Sequence, residues 1–317
     1  MAGDGEVDHL LPGLAIGARA DDVPPERELE DTLAPADLVV VENLLSLPLN
    51  PAAADVVSAV LANRPSLLHH HDLAWQRPAT IHFPPPPDRP HWRHVTINEL
   101  SRRQLAARSV PATTIYNSFA IPDEARFEAA LTTRGDRAEA LRDLAGAGPE
   151  HPLLLQPTRA IPRKNIAGGL AVATELGATY WILGPDEDGF GPEVARILAP
   201  ATTPVLRGIP DSLPSLSIDE AYAASDAVLL PSTWEGFGNP SLESVVHGRP
   251  LIIGPYPVAR ELAAFGFRWF GLHQGDELRA WWEGGDDTLL RHNLEVAATH
   301  FSLADLPARI AAVLPDH

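Results

Sequence analysis

The 317-residue sequence contains no cysteine, so disulfides, thiolate metal sites and cysteine nucleophiles are excluded. Basic residues are scarce: 24 Lys and Arg stand against 42 Asp and Glu, a formal charge of −18. That balance argues against nucleic acid or anionic lipid as a partner, although a phosphate site needs only local positive groups. No run of about 18 apolar residues suggests a membrane span, and no signal peptide opens the chain. The expected location is therefore cytoplasmic. No internal repeat stands out.

What is present is a normal globular balance, 45% apolar and 21% charged, in a chain long enough for two domains. The 32 prolines sit mostly in connections, notably Pro84 to Pro87, and read as rigid loops rather than a disordered tail. Residues 1–30 are weakly patterned, with one candidate strand from Gly13 to Gly17. Strands are expected at Asp37–Glu42, Ser66–His70, His94–Ile97 and Thr113–Tyr116, with helices at Pro51–Asn63 and from Glu99 to about Ser109. Two charged helical stretches occupy 122–150 and end in a Gly-Ala-Gly-Pro segment, where the domain boundary is placed (1–149 and 150–317). Beyond it, strands are expected at Pro152–Gln156, Thr179–Gly184, Pro204–Arg207, Asp226–Leu230 and Phe267–Phe270, with terminal helices packing back. Strands alternating with helices imply a parallel, doubly wound sheet, whose ligands gather at the carboxyl ends of the strands. His71, Asn98 and Asn117 fall at such ends.

The most informative stretch runs from Asp226 to Gly254, DAVLLPSTWEGFGNPSLESVVHGRPLIIG. It reads strand, loop, helix, strand. Asn239 is placed as N-cap, Pro240 suits the first helical position and Gly248 closes the helix. Glu235 sits on the loop and Glu243 near the start of the helix, whose amino end offers unpaired N–H groups suited to phosphate. Carboxylates there can accept from sugar hydroxyls while loop amides donate to others. The plainer alternative is a solvated loop charge at Glu235 and a dipole-complementing Glu243.

EGFGNPSLE followed by HGRPLI resembles the E-x7-E signature of retaining family 4 glycosyltransferases, enzymes of the two-Rossmann GT-B fold. The resemblance implies two Rossmann-like domains facing across a cleft. It implies that Glu235 contacts the donor sugar near its reacting face, that Gly236, Phe237, Gly238 and Asn239 line the donor site, and that Glu243 holds the ribose. TRAIPRKN, with Arg159 and Lys164 at R-x4-K spacing, resembles the family's diphosphate-binding motif and precedes E-x7-E in the expected order. Arg grips phosphate oxygens in a fork and Lys adds a compact charge. Taken alone, the pair would read as solvated surface cations. Arg163 is a further cation with no role implied.

The run His69-His70-His71-Asp72 invites a metal reading, but adjacent residues on a strand alternate faces, so only His69 and His71 can point together. No carboxylate lies at established ligand spacing, and no metal site is assigned. The run resembles the family's strand-end "HD", which implies that His71 faces the donor sugar with Asp72 in support; the alternative is a structural histidine. Asn98 is placed as an N-cap and Asn117 as a residue lining the site. Relatives open with a strand and a glycine-rich loop that residues 1–30 do not supply, so the first domain is expected to be reduced.

The reading is a metal-independent transfer of sugar from a nucleotide-diphosphate sugar to an unidentified hydroxyl acceptor, with retention and no cofactor. Arg159, Lys164, Glu235 and His71 are its catalytic candidates. The alternatives are a non-catalytic nucleotide-sugar-binding or scaffold protein with a degenerate acceptor domain, and a sugar-nucleotide epimerase on the same fold.

Overall fold

The computed structural model describes residues 8–314, which divide into two compact units. The first comprises residues up to Tyr116 together with those from Pro307 onward; the second runs from Asn117 to Leu306.

In the first unit, β1 (Val39–Glu42), β2 (Ser66–His70), β3 (Trp92–Thr96) and β4 (Thr113–Thr114) form one parallel sheet in chain order. The crossover helix Pro51–Val60 starts where expected: the Asn50 side chain accepts from the Ala53 N–H at 3.1 Å, and Pro51 takes the first position. Asn98 caps the helix Glu99–Ala106 in the same way, accepting from the Ser101 N–H at 2.6 Å. Leu45, Val57, Leu61 and Leu68 meet Trp92 in the core, and the Trp92 indole N–H donates to the Leu61 carbonyl at 2.8 Å.

The expected strand at Gly13–Gly17 is instead a short 3-10 turn, Pro12–Leu14. The Asn50 amide donates to the carbonyls of Gly13 and Ala15, each at 3.0 Å, which ties this segment to a helix start rather than to a sheet edge. A helix at Glu26–Leu33 was hidden by its charge, since it buries only Leu29. Among the described residues, no strand precedes β1, and the first sheet has four strands against six in the second.

The second unit contains β5 (Leu153–Gln156), β6 (Thr179–Ile182), β7 (Val205–Arg207), β8 (Ala227–Leu230), β9 (Leu251–Ile253) and β10 (Phe270–Gly271). All pairings are parallel, in the order β10-β9-β8-β5-β6-β7. Every residue of β5, β6 and β8 is buried, the polar Gln156 and Thr179 included, as expected of mostly apolar strands covered on both faces. The chain runs outward from β5 to β7, then restarts at β8 on the other side of β5. This reversal makes the β5/β8 junction a topological switch point, where open α/β sheets bind ligands.

Helices Glu124–Thr132 and Asp136–Ala145 belong to the second unit, not to the first as the 149/150 boundary supposed. Asp226, at the start of β8, explains the placement. It accepts from Arg134 and Arg142 and from the Leu153 backbone N–H, all at 2.8 Å, and so staples these helices to the heads of β5 and β8. The carboxyl-terminal segment from Pro307 likewise falls with the first unit rather than the second. No helix among the described residues is long and apolar enough to cross a membrane.

Candidate active site

β5 and β8 are hydrogen-bonded neighbours, and each hands its chain to a loop at its carboxyl end. The loop after β5 turns through the 3-10 segment Pro162–Lys164 into the helix Ile166–Leu176; the loop after β8 carries residues 231–239 into the helix Pro240–Val246. The two are laced together. Asn165 donates from its side chain to the Pro231 carbonyl at 3.1 Å, and the Thr233 N–H donates to the Arg163 carbonyl at 2.9 Å. Residues about 70 positions apart in sequence are thereby held side by side.

Glu235 is the hub of this junction and is buried, 5% exposed. One carboxylate oxygen, Oε1, accepts from Lys164 Nζ at 2.5 Å and from Ser232 Oγ at 2.5 Å. The other accepts from Arg163 at 2.7 Å, and the same guanidinium nitrogen donates to the Trp234 carbonyl at 2.9 Å. Burial pushes the Lys164 ammonium below its ordinary pKa, while the Glu235 carboxylate pulls it back up. Two cations on one carboxylate leave a net positive charge at the switch point. Arg159 is more exposed and pairs with Glu187 at 2.6 Å.

Gly238 has φ of +91°, a backbone that favours glycine, and a Cβ there would run into the Tyr256 hydroxyl. That hydroxyl donates to the Phe237 carbonyl at 3.2 Å and fixes the loop from beneath. Phe237 is buried, its ring 6.1 Å from that of Phe119. Asn239 holds the cap position but makes no side-chain cap: its backbone is already helical, and its side-chain oxygen accepts from Asn117 at 2.8 Å. The capping bond expected of Asn239 is thus replaced by a tie to Asn117, which the structure brings to this loop.

Glu243 is half-buried, and its Oε2 accepts from the Tyr222 hydroxyl at 2.6 Å. Burial, and then the Glu243 charge, push the Tyr222 phenol well above its usual pKa, so it stays a donor. His247 stacks on Tyr222, with 4.5 Å between ring centroids, and bonds the Glu243 carbonyl and Asp219 at 2.7 and 3.0 Å.

In the first unit, His71 sits just past β2. Its Nε2 meets Glu42 Oε2 at 2.6 Å, and His69 Nδ1 meets the same oxygen at 2.8 Å. Burial raises the Glu42 carboxyl, but the hydrogen bonds and charges of the two imidazoles outweigh it and hold the group down at about 2. Asp72 does not support His71 as expected; it accepts from Arg77 at 2.8 Å. Sequence reasoning missed Glu42, Ser232 and Tyr222 and gave Arg163 no role: Glu42 and Arg163 reach their partners across neighbouring strands or loops and Tyr222 across neighbouring helices, whereas Ser232 lies three residues before Glu235 on the same loop. A cavity of about 540 Å³ lies elsewhere, lined by Asp88, Arg89, Trp92, Arg93, His94 and Thr113 among others, and holds none of the candidates above.

No family model matches the chain. In sequence it is 25% identical over 338 residues to a mannosylglucosylglycerate synthase of Thermotoga maritima, covering 88% of this chain and 76% of that protein. A mannosylglucosylglycerate synthase of Petrotoga mobilis is 25% identical over 276 residues, 73% of this chain and 62% of that one. In fold it is similar to Anabaena HepE in complex with UDP-glucose, with a TM-score of 0.67 at 17% identity over 90% of this chain and 80% of that one. Sucrose-phosphate synthase from Thermosynechococcus elongatus gives a TM-score of 0.62 at 13% identity, over 92% and 77%.

Proposed function

We propose that this chain, a glycosyltransferase of the GT-B fold, takes a nucleotide-diphosphate sugar at the β5/β8 switch point and passes the sugar to a hydroxyl acceptor with retention at the anomeric carbon. The observation that carries the reading is the convergence of Lys164 and Arg163 on the buried Glu235 at that junction. Three charged side chains drawn together at a ligand-binding edge cost desolvation, which is a poor investment for stability alone.

In this reading Lys164 and Arg159 receive the diphosphate. They offset the negative charge that develops on it as the glycosidic bond to the leaving group breaks, so the step needs no metal. Glu235 keeps Lys164 and Arg163 oriented and meets the sugar, with amides of Gly236 to Gly238 donating to its hydroxyls. Glu243 accepts from the ribose through Oε1 while Tyr222 holds Oε2. The departing phosphate assists deprotonation of the acceptor on the same face of the sugar, which gives retention without a covalent nucleophile. His71 is assigned a catalytic part through the family resemblance, with Glu42 setting its ring.

The names of the sequence relatives suggest a glycerate glycoside as an acceptor to try, and the HepE complexes suggest a uridine donor. The test is nucleotide release from UDP-, GDP-, ADP- and dTDP-sugars with such acceptors, repeated with Lys164→Ala and Glu243→Ala. Release from one donor, cut at least a hundredfold in both variants, is the expected result. Release that persists in both would place the donor elsewhere. Diphosphate binding with no release from any pair would favour the non-catalytic binder. Product stereochemistry by NMR then decides retention.

A further inference from the structure

We propose that Glu42, His69 and His71 form a binding site for a divalent metal ion of the zinc type at the carboxyl edge of the first sheet. One ligand atom from each, the Glu42 oxygen and an imidazole nitrogen from either histidine, all lie within 4.8 Å of one another. Zinc binds nitrogen and oxygen at about 2.0–2.2 Å, so a tetrahedral site needs ligand atoms about 3.3 Å apart. The Glu42 oxygen is now 2.8 Å from His69 Nδ1 and 2.6 Å from His71 Nε2. Opening these separations by about 0.5 and 0.7 Å, with the two imidazole nitrogens, which lie within 4.8 Å, brought to the same spacing, calls for side-chain rotations.

The backbone beneath is already set for this. Glu42 and His69 are register partners in the β1–β2 pair, which puts both side chains on one face, and His71 follows two residues after His69. The turn carrying His71 is pinned by Asn43, whose side-chain oxygen accepts from the His71 and Asp72 backbone N–H groups at 3.1 and 2.9 Å. The Asn43 N–H in turn donates to the His69 carbonyl at 2.8 Å, and Ser46 Oγ donates to the Asn43 side-chain oxygen at 3.0 Å. Held ligands lose little freedom on binding, which raises affinity.

Two imidazoles and a carboxylate are the donor set of open zinc sites, three protein ligands with a position left for solvent. The side chains of His69, His71 and Glu42 are 22%, 40% and 35% exposed, so an ion can reach them and keep a water. Imidazole ligands also favour zinc over magnesium or calcium, which seek oxygen. Binding is measured without turnover, so its test is separate from that of the transfer reading. A bound ion would hold His71 on the metal, so occupancy and the part given to His71 above exclude one another.

The test is equilibrium dialysis of the full chain against Zn²⁺, with bound metal counted by elemental analysis, and visible absorption after loading with Co²⁺. The expected result is one ion per chain at micromolar metal and a tetrahedral Co²⁺ band. Both are weakened at least tenfold by His69→Ala and by Glu42→Gln, and unchanged by His273→Ala at an exposed histidine. Absence of stoichiometric binding to the wild type would overturn the proposal, and that measurement needs no variant. So would binding that survives His69→Ala combined with Glu42→Gln in protein whose circular dichroism matches the wild type.

Discussion

Glu235 divides its carboxylate among Lys164, Arg163 and Ser232, so its loss is felt in stability as well as in turnover. Glu235→Ala leaves the buried Lys164 without its nearest counter-charge and is expected to cost about 3–5 kcal/mol in urea denaturation. The double variant Glu235→Leu with Lys164→Met removes both charges and should recover most of that loss while remaining inactive. Stability unrecovered in the double variant would mean that the pair is not the cause.

His94 gives a second residue-scale test. Its Nδ1 lies 2.9 Å from His70 Nε2 in the first core, and its Nε2 is 3.3 Å from an oxygen of Asp88. Burial lowers its pKa below the ordinary 6.5, with Asp88 opposing. The unfolded chain therefore takes up the proton first as pH falls, and stability that is full above about pH 6.5 is lost below it. Wild type should lose more stability between pH 7 and pH 5 than His94→Asn; equal losses would remove His94 from the account. Of the candidates for the site, Arg159, Lys164, Glu235 and Glu243 could be proposed from the sequence because their spacing survives in one dimension. Glu42 was not: it meets His69 from 27 positions away, through strand pairing alone.

At the scale of elements, boundaries followed the apolar runs and the caps. Ser66–His70 is a strand as expected, and Asn50 and Asn98 cap as expected. The failures share a cause, since tertiary partners decided them. Asn239 gave its side chain to Asn117, and Gly13 gave its carbonyl to Asn50. Arg249 of the HGRPLI segment is another such residue. It is buried and donates to the carbonyls of Tyr222, Ala223 and Gly248, tying the helix Ile218–Ala224 to the head of β9. The loop from Glu235 to Gly238 is the element most exposed to substitution. Gly238→Ala combines a positive φ with a clash against Tyr256 and should cost about 1–3 kcal/mol, together with most of the activity. Gly285→Ala, at φ of +61° in open space, should cost about 1 kcal/mol and leave activity unchanged. Similar losses of activity in both would argue against a specific role for the loop.

For the whole molecule, the alternation of strands and helices was enough to read two parallel sheets, and the motif order was enough to read the GT-B fold. The division between units was less legible. A Gly-Pro break at residues 146–149 looks like a boundary, but the long-range staple from Asp226 to Arg134 and Arg142 overrides it. The central claim concerns the second unit: the switch point between β5 and β8 is a nucleotide-diphosphate site. Isothermal titration with UDP and GDP addresses it directly, using wild type, Lys164→Ala and Glu243→Ala. The account predicts that one nucleotide binds at a single site and that each variant weakens it at least tenfold, about 1.4 kcal/mol. Binding of neither nucleotide to the wild type, or equal binding to all three proteins, would contradict it.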